Sequence, residues 1–529
     1  MLSDRILSPG GLVLFAAVAL AGIVALIFAI RQARPTTKAL DDEADVLRRI
    51  LRNSSLPIAS QFFVRGVDLL VALAVLRLLG PSGNGEYALA VIIWFYVKTI
   101  SDFGLGLYAT REISRDAGRS GSITGGTALF RLLVLPLTIA PVAIYLGARW
   151  SAGTMSAEVL VAVAILLLSI VPGSLGEAIN AALNGVERMD IAAGINVGIN
   201  LVRAPFAVVL AATSLGITGI AIAALVATLI SAASYIIAYS RLKLTRIEFR
   251  IDRDQISTLG RESAPLLVNA LLLTLFFRFD VFIVEAFKGA EAVGLYDAAF
   301  KPINLLVIIP AYATLAVFPL MSRRAGDTEG LARANRLTSY MLVTLAWLIV
   351  VATVALARPA IQLLAGDAFL PESATMLRIL VFFAPLSFLN GVFQYVLIAQ
   401  GRQRDIVPVF GAAVLFNIIG NALLVPWYGA YAASVLTVLT ELVIFLAFVV
   451  VARSAPVVIH DPRTLRRLAR PTMTGLASVA VVLPFLDRPL LAVLLGGASF
   501  VVLGLLLGVI GEEEREIGRR LLQRADSTA

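Results

Sequence analysis

The sequence predicts an all-α polytopic membrane protein, with two parallel six-helix lobes, two C-terminal helices and one extra N-terminal helix, about 15 spans in all. Three observations carry this. Of the 529 residues 59% are hydrophobic and only 15% charged, with a mean hydropathy of +0.90, whereas a soluble domain carries roughly 25% charged residues. The apolar residues fall in blocks of about 20, the length that crosses a hydrocarbon core of roughly 30 Å. Lysine and arginine gather in alternate loops, which gives the chain two distinct sides.

The apolar blocks place spans at 11–30, 55–79, 85–109, 126–147, 156–181, 191–213, 217–240, 263–286, 293–319, 337–357, 375–399, 406–426, 429–452, 471–486 and 489–511. Proline and glycine recur inside them, as membrane helices tolerate. One set of loops is basic: 31–53, 111–119, Arg188, 241–261, 323–336, 402–404, 453–470 and the tail after 511. It holds 31 of the 44 lysines and arginines. The opposite set holds six: Arg5, Arg149, Lys288, Arg358, Arg378 and Arg488. The positive-inside rule puts the rich side in the cytoplasm.

The first span is basic after its apolar run, at Arg31 and Arg34, rather than before it. A cleaved signal peptide has the reverse order, so residues 1–31 read as a retained anchor with the N-terminus outside. Residues 39–52 place acids early and bases late, which suits the dipole of a short interfacial helix. The domain reading is then an anchor at 1–31, a cytoplasmic linker at 32–53, an N-lobe at 54–240 and an inter-lobe linker at 241–262. A C-lobe at 263–452, two more spans in 453–511 and a cytoplasmic tail at 512–529 complete it.

Composition removes several functions. There is no cysteine and one histidine, His460, in a basic loop. That excludes disulfides, thiol chemistry and a histidine triad within the membrane, and leaves no Cys/His metal site or cofactor to expect. The net charge of +9 follows from loop topology. No basic patch is interleaved with stacking aromatics, so nucleic acid is not an expected partner.

The twelve spans from 55 to 452 read as two copies of six. Ser55-Leu56-Pro57 opens the first copy and Ser263-Ala264-Pro265 the second. Gly85-Glu86-Tyr87-Ala88 matches Gly294-Leu295-Tyr296-Asp297-Ala298, and Asn184-Gly185 matches Gln400-Gly401. Gly216-Ile217-Thr218-Gly219 matches Tyr428-Gly429-Ala430-Tyr431. Six spans per copy keeps both copies in one orientation, a parallel repeat about an axis along the membrane normal. Such repeats place a cavity between lobes that rock to give alternating access.

At these residues the sequence resembles a known group. Leu76-Arg77-Leu78-Leu79-Gly80-Pro81-Ser82-Gly83-Asn84-Gly85-Glu86-Tyr87, then Ser101-Asp102-Phe103-Gly104-Leu105-Gly106 and Arg111-Glu112-Ile113, resemble the start of the polysaccharide flippases. These are the O-antigen and exopolysaccharide members of the multidrug/oligosaccharidyl-lipid/polysaccharide (MOP) exporter superfamily. Arg278-Phe279-Asp280, Val293-Gly294-Leu295-Tyr296-Asp297 and Phe318-Pro319-Leu320-Met321-Ser322 carry the likeness into the second copy. It covers roughly residues 50–510. The extra N-terminal span departs from the family pattern. The resemblance implies a transporter, not an enzyme, in a bacterial or archaeal cytoplasmic membrane. Its cargo would be a polyprenyl-diphosphate-linked oligosaccharide moved from the cytoplasmic to the outer face. Glycan polymerase or ligase machinery are the implied partners, and the chain is taken as a monomer. Lipid II and drug cations are the alternative cargoes, and a membrane glycosyltransferase is a further alternative.

Charged residues inside spans cost about 2.5–3.5 kcal/mol each on insertion scales, so they mark function or pairing. Arg65 and Asp68, three apart, and Lys98 and Asp102, four apart, each share a helix face. Arg203 has no acid within a turn, and Arg278 and Asp280 point to different faces, so both arginines need partners from elsewhere. Glu177 and Glu441 are further charges within spans. Arg65, Lys98, Arg203, Arg278 and Lys301 are the candidates to hold a diphosphate headgroup, since arginine grips phosphate oxygens in pairs and lysine adds point charge. Asparagines 180, 196, 200, 269, 304, 390, 417 and 421 are candidates for sugar hydroxyls or for joining helices. No Walker A sequence occurs. Coupling to H⁺ or Na⁺ is then one expected energy source, with Asp68, Asp102, Asp280 and Glu285 the candidate sites; a cargo gradient is the other.

Overall fold

A computed structural model describes residue 6 and residues 8–32, 43–323, 326–453 and 462–509. His460, residues 33–42 and the C-terminal tail lie outside the described residues. Every regular element described is helical. Among the described residues, twelve helical stretches are long and apolar enough to cross a membrane. The chain is an integral membrane protein.

Residues divide by contact into a first unit, 1–281, and a second, 282–529. The first contains α1 (Pro9–Arg31), α2 (Glu43–Asp102), α3 (Leu105–Arg115), α4 (Ser120–Ser151), α5 (Ala157–Gly185), α6 (Met189–Ala211), α7 (Gly216–Arg241) and α8 (Arg253–Arg278). The second contains all but the first two residues of α9 (Asp280–Leu306), then α10 (Ile308–Arg323), α11 (Thr328–Leu364) and α12 (Glu372–Leu380). It continues through α13 (Phe383–Ala399), α14 (Ile406–Tyr428), α15 (Ala430–Arg453), α16 (Pro462–Val482) and α17 (Pro489–Leu506).

The residues of α2 explain its shape. Its 60 residues hold the expected span at 55–79 and most of that at 85–109 on either side of Gly80, whose φ of 67° and ψ of −174° break the helix. Only glycine adopts that conformation without a Cβ penalty. In α9 Gly289 does the same, with φ 79° and ψ −179°. The two breaks are 209 residues apart, the spacing of the sequence repeat. The acids and bases expected to form a separate interfacial helix at 39–52 instead continue, from Glu43 onward, into α2.

Polar side chains fix the ends of α5 and α7. Ser156 caps α5 by accepting from the Val159 N–H at 3.3 Å. Glu158, in the first turn, reaches across to accept from the Ile217 N–H at 3.0 Å where α7 begins. Both satisfy donors that a helix start leaves open.

The extra helix α1 packs along α6. A Cβ placed on Gly22 would stand 2.8 Å from the Gly198 carbonyl oxygen, and one on Gly194 would stand 2.6 Å from the Ala29 Cβ. The backbones therefore approach closely, as small residues permit in membranes. Leu26 and Ala29 join Ile191, Ile195 and Ile199 in one buried cluster. At the end of α1, Arg188 donates to the Gln32 carbonyl at 2.6 Å and Arg241 to that of Ile30 at 3.3 Å. Cations there satisfy carbonyls that the helix leaves unpaired and oppose its dipole.

In the second unit the long helix α11 carries the two C-terminal helices. Trp347 Nε1 donates to Thr472 Oγ1 of α16 at 3.3 Å, and the Tyr340 hydroxyl donates to the Val509 carbonyl at 2.5 Å. Helices α14 and α15 pack together, and α15 also meets α12 and α13.

Candidate functional site

The charged residues of α2 are paired, but with other helices. Asp68 accepts a hydrogen bond from Arg203 Nη2 on α6, and that nitrogen also meets Asn200 Oδ1 at 2.9 Å. Lys98 Nζ lies 2.9 Å from Glu177 Oε1 on α5 and 5.4 Å from the Trp94 ring centre. Asp102 Oδ1 accepts from both Nε and Nη2 of Arg131 on α4, at 3.1 and 2.6 Å. The shared faces of Arg65 with Asp68 and of Lys98 with Asp102 therefore do not become pairs within α2. The stronger solution joins each charge to a partner placed opposite by packing.

Sequence reasoning missed Arg131. It is 2% exposed and also donates to the Ser174 carbonyl at 3.2 Å. One signal would have found it: α4 contains no acidic residue, so a buried arginine there needs an acid from elsewhere.

At least one member of each pair lines a cavity of about 220 Å³ inside the first unit. Lys98, Asp102, Arg131, Glu177 and Arg203 all line it. Serines 101, 169, 174 and 231 add hydroxyls to its wall. A second cavity, of about 450 Å³, shares Glu177, Asn180 and Asn196 with the first and extends to Gln61, Thr110 and Asn184. Asn180 Oδ1 is buried with no hydrogen-bond partner among the described residues. The chamber thus offers fixed donors and acceptors with their charges already balanced in pairs.

The other sequence candidates lie elsewhere. Arg65 is exposed and makes no ion pair or hydrogen bond among the described residues. Arg278 ends α8 and Asp280 opens α9, where Asp280 accepts from the Val281 N–H at 2.9 Å. Both act electrostatically on Tyr96 of α2. Neither lines the chamber. Lys301 belongs to the second unit and pairs with Asp297 at 2.8 Å, one turn back on α9. Glu285, also on α9, is 4% exposed.

The asparagines divide by unit. Asn180 and Asn196 line the chamber, and Asn200 orients Arg203. Asn390, Asn417 and Asn421 are buried in the second unit and tie α13, α14 and α15 together. Asn304 is exposed, and the side chain of Asn269 lies outside the described residues.

The fold is similar to that of the lipid II flippase MurJ in an inward closed conformation, with a TM-score of 0.68 and 14% identity over 85% of this chain and 98% of that one. It is also similar to an inward-facing multidrug resistance MATE family transporter of the MOP superfamily. There the TM-score is 0.59 and identity 15%, over 80% of this chain and 99% of that one. Both likenesses are of the fold. The chain belongs to the polysaccharide biosynthesis protein family, whose model matches residues 50–325. The MatE family model matches residues 265–423. Comparison with curated proteins gives no match.

Proposed function

We propose that the protein is a flippase moving a polyprenyl-diphosphate-linked oligosaccharide from the cytoplasmic to the outer face by alternating access. The observation that carries this reading is the polar chamber, which sets three cation–carboxylate pairs among apolar helices of a polysaccharide biosynthesis protein. Isolated charges at such depth are costly, and paired ones that border a cavity mark a pathway.

In this reading the diphosphate competes with the resident carboxylates. Its oxygens take over Arg203 from Asp68 and Lys98 from Glu177, and the carboxylates take the cations back when the cargo leaves. Arginine suits this exchange because its planar fork accepts two oxygens at once. The hydroxyls and amides of the chamber then meet the first sugar, while the lipid tail stays in the bilayer. Arg65, Arg278 and Lys301 are proposed to meet the headgroup at other stages of transport. Asp68 and Asp102 control how available Arg203 and Arg131 are. Asp280 and Glu285 remain proposed coupling acids, tested by neutralising each and measuring export.

The deciding experiment is glycan export in a strain lacking its own flippase, with the native chain and Arg203→Ala at matched membrane levels. Export restored by the native chain and lost in the variant is expected. Export that survives Arg203→Ala would discard the headgroup role. Restoration with lipid II alone would move the cargo to that class.

A further inference from the structure

Glu441 is a buried acid for which the chamber has no use. It lies midway along α15 in the second unit and is 4% exposed. Asn390 Nδ2 of α13 donates to its Oε2 at 2.8 Å and to its main-chain carbonyl at 2.9 Å. Ser387, one turn earlier on α13, is its other hydrogen-bonding neighbour. No lysine or arginine reaches it among the described residues.

The surroundings explain why. Helices α13 and α14, both packed on α15, contain no aspartate, glutamate, lysine or arginine anywhere in their lengths. Helix α12 has Glu372 and Arg378. Glu372 acts on Tyr431, at the start of α15 and ten residues before Glu441. Arg378 points its Nε to the Val354 carbonyl of α11 at 3.3 Å. On α9, whose Tyr296 hydroxyl meets Thr437 of α15 at 3.2 Å, Asp297 is paired with Lys301. Glu285, Lys288 and Glu291 are the other charges of α9 in this unit. Glu441 is thus unlike Asp68, Asp102 and Glu177, each of which holds a cation.

One further atom points to what Glu441 binds. Asn390 Oδ1 is buried and has no donor among the described residues. A carboxylic acid beside an amide can satisfy both groups, accepting from the amide nitrogen and donating to the amide oxygen. A carboxylate can only accept.

We propose that Glu441 is a proton-binding site of the second unit, taking up and releasing one proton in each transport cycle. The carboxylate gains an O–H bond to a proton delivered from water on one side and gives that proton up to water on the other. Asn390 is the positioning residue: it holds the carboxyl by two hydrogen bonds and supplies the acceptor that the added hydrogen uses. The use of this proton to drive transport rests on the flippase reading; its binding does not.

The test separates the two. Infrared difference spectra of the purified full-length chain, without cargo, are recorded across a pH titration for native protein, Glu441→Gln and Glu177→Gln. A protonated-carboxyl band present in the native chain and in Glu177→Gln, and missing in Glu441→Gln, is expected. Its persistence in Glu441→Gln would overturn the proposal. In the export assay Glu441→Gln keeps the size and the hydrogen bonds of the neutral acid. It should fold normally, as its melting temperature will show, and should lose export by about tenfold or more. Native export from this variant, with an unchanged response to a protonophore, would also overturn the coupling role. Failure of the native chain to export any glycan would strike the flippase reading and leave the spectroscopic result standing.

Discussion

Arg131 of α4 holds Asp102 of α2 through two N–H groups while its third nitrogen reaches the Ser174 carbonyl of α5, so that one guanidinium joins three helices. Such a group cannot lose its acid cheaply. Asp102→Asn is expected to destabilise the protein by about 3–5 kcal/mol, because a buried arginine is left without its countercharge. Asp102→Asn combined with Arg131→Gln should recover most of that loss. Melting temperatures of the four proteins of this double-mutant cycle, in detergent, check the coupling.

The Lys98–Glu177 pair makes a prediction of opposite signs. If the chamber receives a diphosphate, Glu177 is its competitor and Lys98 its ligand. Glu177→Gln should tighten binding of farnesyl diphosphate, used as a short soluble probe, and Lys98→Ala should weaken it, each by about tenfold. Calorimetric titration of the purified variants reads both. Weakening by both substitutions would show that the pair is needed intact.

Lys301 carries a structural alternative within its own helix. Asp297, whose side chain is 2% exposed, loses its cation in Lys301→Ala, and a fall in melting temperature is expected. Asp297→Asn with Lys301→Met should restore stability. Export measured in the same pair of proteins then tells whether Lys301 also serves transport: recovery in the double variant confines its role to stability.

Helix α1 is predicted to stay on α6 throughout transport. The chain has no cysteine, so Ala29→Cys with Gly194→Cys gives a cross-link free of background. A small outward shift brings these positions to the Cβ separation of a disulfide, about 3.5–4.5 Å. Rapid oxidation with export retained is the expected result. A cross-linked protein that no longer exports would mean that α1 must leave α6 in the cycle. Gly22→Leu should separate the helices and lower thermal stability, since its Cβ alone would meet Gly198 and Leu201.

The class of the protein was legible because the bilayer imposes length and polarity on every helix, and the repeat because each copy must turn at the same places. Gly80 and Gly289 show this: both lie beside motifs matched in the sequence, and both adopt the same left-handed conformation. What stayed hidden was partnership. Helical spacing suggested Arg65 for Asp68 and Lys98 for Asp102, whereas the structure gives Asp68 to Arg203 and Asp102 to Arg131. The spacing of residues along one helix reports which share a face, but not which helix that face meets. Arg131 differs, since its helix lacks any acid and the sequence shows that, whereas Glu441 in the sequence is only a charge within a span. It lacks a cation among the described residues because the flanking helices α13 and α14 carry no charge.

The division of charge among the helices of the first unit also bears on how the protein is made. During synthesis α2 emerges with Asp68, Lys98 and Asp102 before any of their partners exists. Arg131 arrives with α4, Glu177 with α5 and Arg203 only with α6. A helix whose charges still lack the partners they hold in the folded protein settles poorly in lipid. The opening segments of this chain therefore have reason to wait beside the insertion machinery until α6 is complete, and to enter the bilayer as an assembled group rather than one helix at a time.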